Sequence, residues 1–313
     1  MIKVNSEIEL SIVATVYNDA QIVSLLVAEI IKNVSPLEVP FEIILVNDYS
    51  SDNSEDEIKM ACLKDKKVKG VSLSRNYGQQ IAISVGMRYA TGKYVIIMDG
   101  DLQNPPSEIP KLYLEIIKGY DIVYTVSKIR NNFIDKITSD VFWYILTKVL
   151  GVKIVRNQLM LKIMNNSFID RYNAYNEINR TVEGIVVDIS DNYSVLNVLN
   201  NKRKKGSSHY NFQKRANLMI DMFISLSNAP LNLMLYFGFI IFIVTIIGII
   251  YNTIQYLFFE VPEGFTSTIL SIFLFGSLTI LLLGFIGRYL SSIYTEVRRR
   301  PLFHIKETYN IKI

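Results

Sequence analysis

Two rhythms of apolar and polar residues alternate through the first part of the chain. Leu10–Tyr17, Phe41–Val46, Val68–Leu73, Tyr94–Met98 and Asp121–Val126 are short runs of mostly apolar residues, many of them branched. Such runs predict strands. Between them, Asp19–Asn33, Ser54–Leu63, Gln79–Ala90 and Ser107–Lys118 repeat apolar positions at helical spacing. Strands that are apolar almost throughout, joined by helices, predict a mostly parallel sheet covered on both faces.

The rhythm then changes. Phe133–Leu150 and Phe212–Ser227 read as amphipathic helices. In the first, Phe133, Ile137, Val141, Phe142, Ile145, Leu146 and Val149 share a side. That side suits packing on the sheet; the alternative is a helix resting on a membrane, with Trp143 and Tyr144 at headgroup level. Leu231–Phe259 and Gly264–Gly287 contain no charged residue at all. Each exceeds the roughly 20 residues that a helix needs to cross a hydrocarbon core. The predicted organisation is a cytosolic α/β domain over 1–228, a two-helix transmembrane hairpin over 229–297 and a basic cytosolic tail over 298–313. Gly238, Gly248, Gly276, Gly284 and Gly287 leave room for helix pairing between protomers, and hence for a homo-oligomer.

Composition agrees with a membrane protein. Half of the 313 residues are hydrophobic, and the mean hydropathy is positive. The N-terminal MIKVNSEIEL lacks the apolar core of a signal peptide. Basic residues gather before the first span, in Asn201–Arg215, and after the second, at Arg288, Arg298, Arg299, Arg300 and Lys306. The connector carries only Glu260 and Glu263. The positive-inside rule therefore places the α/β domain and both termini in the cytoplasm, at the inner membrane. The basic clusters suit membrane lipids or a lipid phosphate, and no nucleic-acid motif accompanies the net charge of +4. A single cysteine, Cys62, excludes an internal disulfide and reads as a packing residue.

The densest chemistry is at Tyr94–Pro106, YVIIMDGDLQNPP, where a buried run ends in Asp99 and Asp101. Ligand sites of open α/β sheets lie at this end of the strands. Two carboxylates with the Gln103 amide make a hard oxygen set suited to Mg²⁺ or Mn²⁺ holding a diphosphate. The first strand ends in Thr15-Val16-Tyr17-Asn18-Asp19, the second in Asn47-Asp48-Tyr49-Ser50-Ser51-Asp52. Three polar strand ends predict a nucleotide-sized crevice, with Tyr17 able to stack on a base and Asp48 able to accept its N–H. Arg75, in Ser74-Arg75-Asn76-Tyr77-Gly78, can neutralise phosphate. Neither G-x-G-x-x-G nor a P-loop occurs.

The order TVYND, NDYSSD, SRNYGQQ, MDGDLQNPP resembles the family 2 glycosyltransferases. Within them it resembles the polyprenyl-phosphate glycosyltransferases, and the likeness continues through KGSSHYNFQKR and both spans to GRYLSSIYTEVRRRPLF. The resemblance implies a GT-A nucleotide-sugar-binding fold followed by two C-terminal transmembrane helices. It implies that Thr15, Tyr17 and Asp48 hold the base, that Asp99 lies near ribose and metal, and that Asp101 and Gln103 bind metal. Arg75 and Arg130 fall where basic residues surround diphosphate and acceptor. Lys205, Ser208 and Tyr210 fall in the segment expected to meet the lipid phosphate.

Two positions depart from the family pattern. Asn47 replaces the first of two acids. Met160 stands where a carboxylate proposed as base belongs, and Lys162 where Arg is typical, in Asn157–Met164. Methionine takes no proton, but a phosphate monoester, with a second pKa near 6, needs no base. The expectation is thus an inverting, metal-dependent transfer from a nucleotide-sugar, preferably a UDP-sugar, to undecaprenyl phosphate, serving cell-surface glycans. Asp101, Arg130, Lys162 and Lys205 are its expected catalytic group, the last three placing the attacking oxygen. Two rivals stand beside it. One transfers to a hydroxyl of a lipid-linked saccharide, with Glu183, Asp188 or Asp191 as base. The other is a degenerate membrane scaffold, for instance a flippase partner.

Overall fold

The computed structural model describes residues 8–127, 155–175, 177, 182–198 and 264–311, with isolated helical positions between 236 and 254. They fall into two compact units, one holding a sheet and its helices, the other the long apolar helix.

The sheet unit begins as its sequence predicts. β1 (Leu10–Val16), α1 (Ala20–Val34), β2 (Phe41–Asn47), α2 (Ser54–Lys64), β3 (Val68–Leu73), α3 (Gln79–Tyr89) and β4 (Tyr94–Asp99) alternate. α4 (Ile109–Ile116) and β5 (Ile122–Ser127) follow, α4 opening at a proline where its missing N–H costs nothing. β1 pairs in parallel with both β2 and β4, and β2 with β3. Chain order runs outward from β1 in one direction to β3, then jumps to β4 on its other side. The crevice at the carboxyl end of β1 and β4 is therefore the switch point of the sheet.

Three strands and two helices escaped the periodicity. β6 (Gln158–Asn165) inserts antiparallel between β4 and β5. α5 (Asn166–Ala174) follows, capped by Asn165, whose Oδ1 accepts the Phe168 N–H at 2.7 Å. After α6 (Val182–Ile189), β7 (Tyr193–Val198) joins β5 in parallel. β8 (Ile305–Tyr309) pairs antiparallel with β3, giving the order β7-β5-β6-β4-β1-β2-β3-β8. The segment expected to be a basic tail thus supplies an edge strand. Lys306 and Tyr309 fasten it to Glu55 of α2, at 2.8 and 3.2 Å.

Alternation along the strands divides the core into two layers. Ile12, Ala14, Ile43, Leu45, Ile96 and Met98 face α1, α2 and α4. Val13, Ile44, Val46, Val95 and Ile97 face α3, α5 and α6. Gly86 lets α3 approach closely: a Cβ there would strike Val13 and stand 3.1 Å from Val46. Cys62 is buried, its thiol pushed up to about 11 by desolvation, so it is a packing residue and not a reactive one.

α7 (Phe265–Val297) has 33 residues, about 50 Å at 1.5 Å per residue. Ile272, Ile280, Leu283, Ile286 and Leu290 are exposed along it. Its Leu278–Val297 segment and the α1 region are the two described stretches apolar and long enough to cross a membrane. α1 instead buries Val23, Leu26, Ile30 and Val34 on the sheet. Of the earlier predicted span, the described positions Tyr236, Ile240, Ile243, Val244, Ile247, Ile250 and Ile254 are helical and exposed. The amphipathic segments at 133–150 and 212–227 lie outside the described residues.

Candidate active site

Two loops at the carboxyl edge of the sheet are sewn together by side chains. Asn18, with a left-handed φ of 54°, accepts the Ser51 N–H at 2.8 Å and gives its own N–H to Ser50 Oγ at 3.0 Å. Asp52 accepts the N–H groups of Ala20 and Ser54, each at 3.0 Å. Burial raises the Asp52 pKa, but the hydrogen bonds from Ser54 and Ala20 outweigh it and hold the carboxyl below its ordinary value. Asn47 is buried and accepts the Ser50 N–H at 3.0 Å, a turn-forming bond that needs only a side-chain oxygen. The substitution of Asn for Asp thus keeps the turn. Tyr17 and Tyr49 stand half exposed on these two loops.

Asp48 is buried, and both its oxygens are engaged: Oδ1 accepts the Tyr77 N–H at 2.8 Å, Oδ2 the Gly78 N–H at 2.9 Å. Desolvation raises its pKa despite these donors. The residue read as a base-binding acceptor therefore also anchors the loop 74–78. Gly78 has φ 89°, where a side chain would be strained. Arg75 lies over the Tyr77 ring, 4.6 Å from its centroid.

Asp99 ends β4 opposite Thr15 of β1. Gln79, the first residue of α3, donates its side-chain N–H to Asp99 Oδ1, and Asn104 Nδ2 donates to Oδ2 at 2.9 Å. Asp101 Oδ1 accepts the Gln103 N–H at 3.0 Å, closing a turn over Leu102, whose φ is 60°. Asn104 is buried, and its Oδ1 has no hydrogen-bond partner. Gln79 and Asn104 are site residues the sequence reading missed. Their only signal was that they lie within the motifs SRNYGQQ and MDGDLQNPP. Among the described residues no group of three or more His, Cys, Asp or Glu is assembled for a metal. Two carboxylates beside amide oxygens nevertheless fit Mg²⁺ or Mn²⁺, which take one or two carboxylates and complete their shell with phosphate and water.

The structure gathers Thr15, Tyr17, Asp48, Arg75, Asp99, Asp101 and Gln103 at one edge. Arg130, Lys205, Ser208 and Tyr210 lie outside the described residues. Lys162 is placed inside the sheet. It is 0% exposed, pairs across from Ile97 on β4 and Tyr124 on β5, and has its ammonium 5.8 Å from the Tyr124 ring centroid. Its side chain is enclosed within the sheet unit rather than presented on the surface. Met160 lies two residues before Lys162 on β6, in the stretch where the pairing of β6 with β5 shifts register. Asp188 and Asp191 drop out as bases. α6 starts beside Gln80, whose Oε1 accepts the Val182 N–H at 2.8 Å, but ends at Ile189, just before Ser190, which bonds to Asp121 ahead of β5. That is the opposite edge of the sheet. Glu183 starts the same helix, and its side chain lies outside the described residues.

Comparison with known proteins agrees with this geometry. Residues 11–176 match the profile of glycosyl transferase family 2. An uncharacterised glycosyltransferase, sll0501, of Synechocystis sp. is 31% identical over 97% of both chains. The undecaprenyl-phosphate 4-deoxy-4-formamido-L-arabinose transferase of Proteus mirabilis is 31% identical over 97% of this chain and 95% of its own. The mannosyltransferase PcManGT of Pyrobaculum calidifontis, solved with GDP-Man and Mn²⁺, has a TM-score of 0.51. It is 13% identical, over 71% of this chain and 65% of that one, a likeness of GT-A-like fold alone. The family profile spans more than half of the chain, and relatives match almost all of it: the protein is a glycosyltransferase and belongs to family 2.

Proposed function

We propose that the enzyme transfers a sugar, with inversion, from a nucleotide-sugar to a polyprenyl phosphate at the cytoplasmic face of the inner membrane. A UDP-sugar is the preferred donor in this reading, and undecaprenyl phosphate the acceptor. The observation that carries it is the pair Asp99 and Asp101 at the switch point, Asp99 standing opposite Thr15 of β1. The relatives that transfer to undecaprenyl phosphate support it over nearly the full length.

In this reading Tyr17 and Tyr49 flank the base, and Arg75 meets the diphosphate. Asp99, Asp101 and Gln103 would hold Mg²⁺ or Mn²⁺, which neutralises charge on the departing diphosphate. Gln79 and Asn104 keep Asp99 in one orientation while ligands exchange. An acceptor phosphate oxygen attacks the anomeric carbon from the face opposite the diphosphate. The new C–O bond forms as the old one breaks, and the nucleoside diphosphate leaves with the electron pair. No proton moves, because the acceptor phosphate is mostly ionised at neutral pH. Methionine at position 160, where the family pattern has a carboxylate, is compatible with that step, whereas a hydroxyl acceptor would need a base. Arg130 and the segment of Lys205, Ser208 and Tyr210 are assigned to the acceptor phosphate. The spans at 231–259 and 264–287 anchor the enzyme. The exposed apolar surface of α7 and the basic clusters flanking the apolar segments support this assignment.

The test supplies the purified protein with undecaprenyl phosphate, Mn²⁺ or Mg²⁺ and labelled UDP-, GDP- and dTDP-sugars. The expected result is label entering the lipid phase with one donor, lost in Asp101→Asn and retained in Met160→Leu. Donor turnover without a lipid product overturns the acceptor assignment. Absence of both turnover and nucleotide binding overturns the reading in favour of a scaffold.

A further inference from the structure

Among the described residues, the C-terminal segment hydrogen-bonds the site loop through the main chain of His304. The His304 carbonyl accepts the Ser74 N–H at 3.0 Å, extending the β3–β8 pairing. The His304 N–H donates to the Tyr77 hydroxyl, also at 3.0 Å. One residue thus brackets the loop at both ends, and the Tyr77 hydroxyl lies 3.4 Å from Ser74 Oγ as well. Phe303, the preceding residue, lies under the Arg88 guanidinium of α3, 5.7 Å from it, and packs on the core beneath that helix.

The other side of the same loop faces the site. Arg75 rests on the Tyr77 ring. The N–H groups of Tyr77 and Gly78 fill Asp48, and Gln79 reaches Asp99. Gly78 leaves this stretch without backbone stiffness of its own. Its conformation has to come from contacts, and the tail supplies those on the side away from the carboxylates.

We propose that Tyr77 is a positioning residue through which the C-terminal strand sets the donor-binding loop, holding Arg75 and the loop amides for a nucleoside diphosphate. The proposal rests on the donor site described under the proposed function. It makes donor affinity depend on a hydroxyl that belongs neither to the core nor to the metal-binding acids. Tyr77→Phe removes that hydroxyl but keeps the ring on which Arg75 stacks. His304→Pro removes the same bond from the donor side and leaves Tyr77 intact.

The experiment uses the full chain, with UDP, GDP and dTDP in the presence of Mn²⁺ as probes, and the tightest binder carried forward. Calorimetry gives Kd without acceptor, transfer assays give KM and kcat, and hydrogen exchange follows 74–80 and 303–309. Tyr77→Phe should raise Kd and donor KM roughly threefold to tenfold, the scale of one lost hydrogen bond, with kcat within about twofold. Exchange should quicken in both segments at an unchanged Tm. His304→Pro should do the same, and the double variant should fall short of the sum of the two single ones, because both delete the His304–Tyr77 bond. Unchanged nucleotide affinity in Tyr77→Phe overturns the proposal, as does full additivity of the two changes. If Asp101→Asn abolishes transfer while Tyr77→Phe has no effect, the donor site stands and the positioning role falls. A wild-type protein that binds none of the three nucleotides overturns both.

Discussion

Gly100 lies so close to Thr15 that a Cβ on it would be driven into the Thr15 carbonyl oxygen. The residue between the two acids is therefore fixed by the end of β1, where Thr15 pairs with Asp99. Gly100→Ala must push β1 and β4 apart at the crevice. Overpacking of this kind costs about 1–3 kcal/mol, and because it displaces both carboxylates, transfer should fall by far more than stability. Thermal unfolding beside the transfer assay checks the disproportion. Full activity in Gly100→Ala would contradict the assignment of this turn to the metal and diphosphate.

Asp48 separates two roles. Asp48→Asn keeps the shape but turns one acceptor into an NH₂ that faces an N–H donor of the loop. The lost bond and the new clash should cost about 1–3 kcal/mol, as for a buried donor left unmet. Nucleotide affinity should fall with the stability, since the 74–78 loop loses its anchor. Urea unfolding and UDP titration on the same samples would show whether the two losses move together.

Asn104 contacts Asp99 through one amide atom and presents an unpartnered buried oxygen with the other. Asn104→Ala should weaken Mn²⁺-dependent nucleotide binding about tenfold or more, the range found when a ligand's supporting partner is removed. Asn104→Asp should not restore it, since the N–H donated to Asp99 is replaced by a second charge. Titrating Mn²⁺ at fixed UDP would measure both variants.

Far from the site, Asp121 ties β5 to α5 and to the turn before β7. It accepts from Ser190 at 2.6 Å, Asn165 at 2.8 Å and Arg171 at 3.2 Å. Burial raises its pKa, but these partners outweigh it and depress the folded-state value. A depressed carboxylate stabilises the fold above its unfolded pKa, and that stabilisation disappears as pH falls through the folded value. The stability gap between wild type and Asp121→Asn should be largest near pH 7 and should shrink below about pH 4, the ordinary carboxylate range. Denaturant unfolding at pH 7 and pH 3 measures it, and a gap independent of pH would refute the assignment.

Local sequence determined the alternation from β1 to β5, because an apolar run or a helical repeat records which faces of a segment are buried. It also determined the carboxylates at the end of β4 and the apolar length of α7, since each is a property of adjacent residues. Tertiary structure alone decided which strands are neighbours. β6 carries Lys162 in its middle and looked like a motif, not a strand, yet packing buries it between β4 and β5. β8 reads as a charged tail, and only its pairing with β3 makes it part of the sheet. The bond from His304 to Tyr77 spans 227 residues of chain. No periodicity encodes such a contact, because it depends on where two distant backbones arrive once the apolar faces between them are covered.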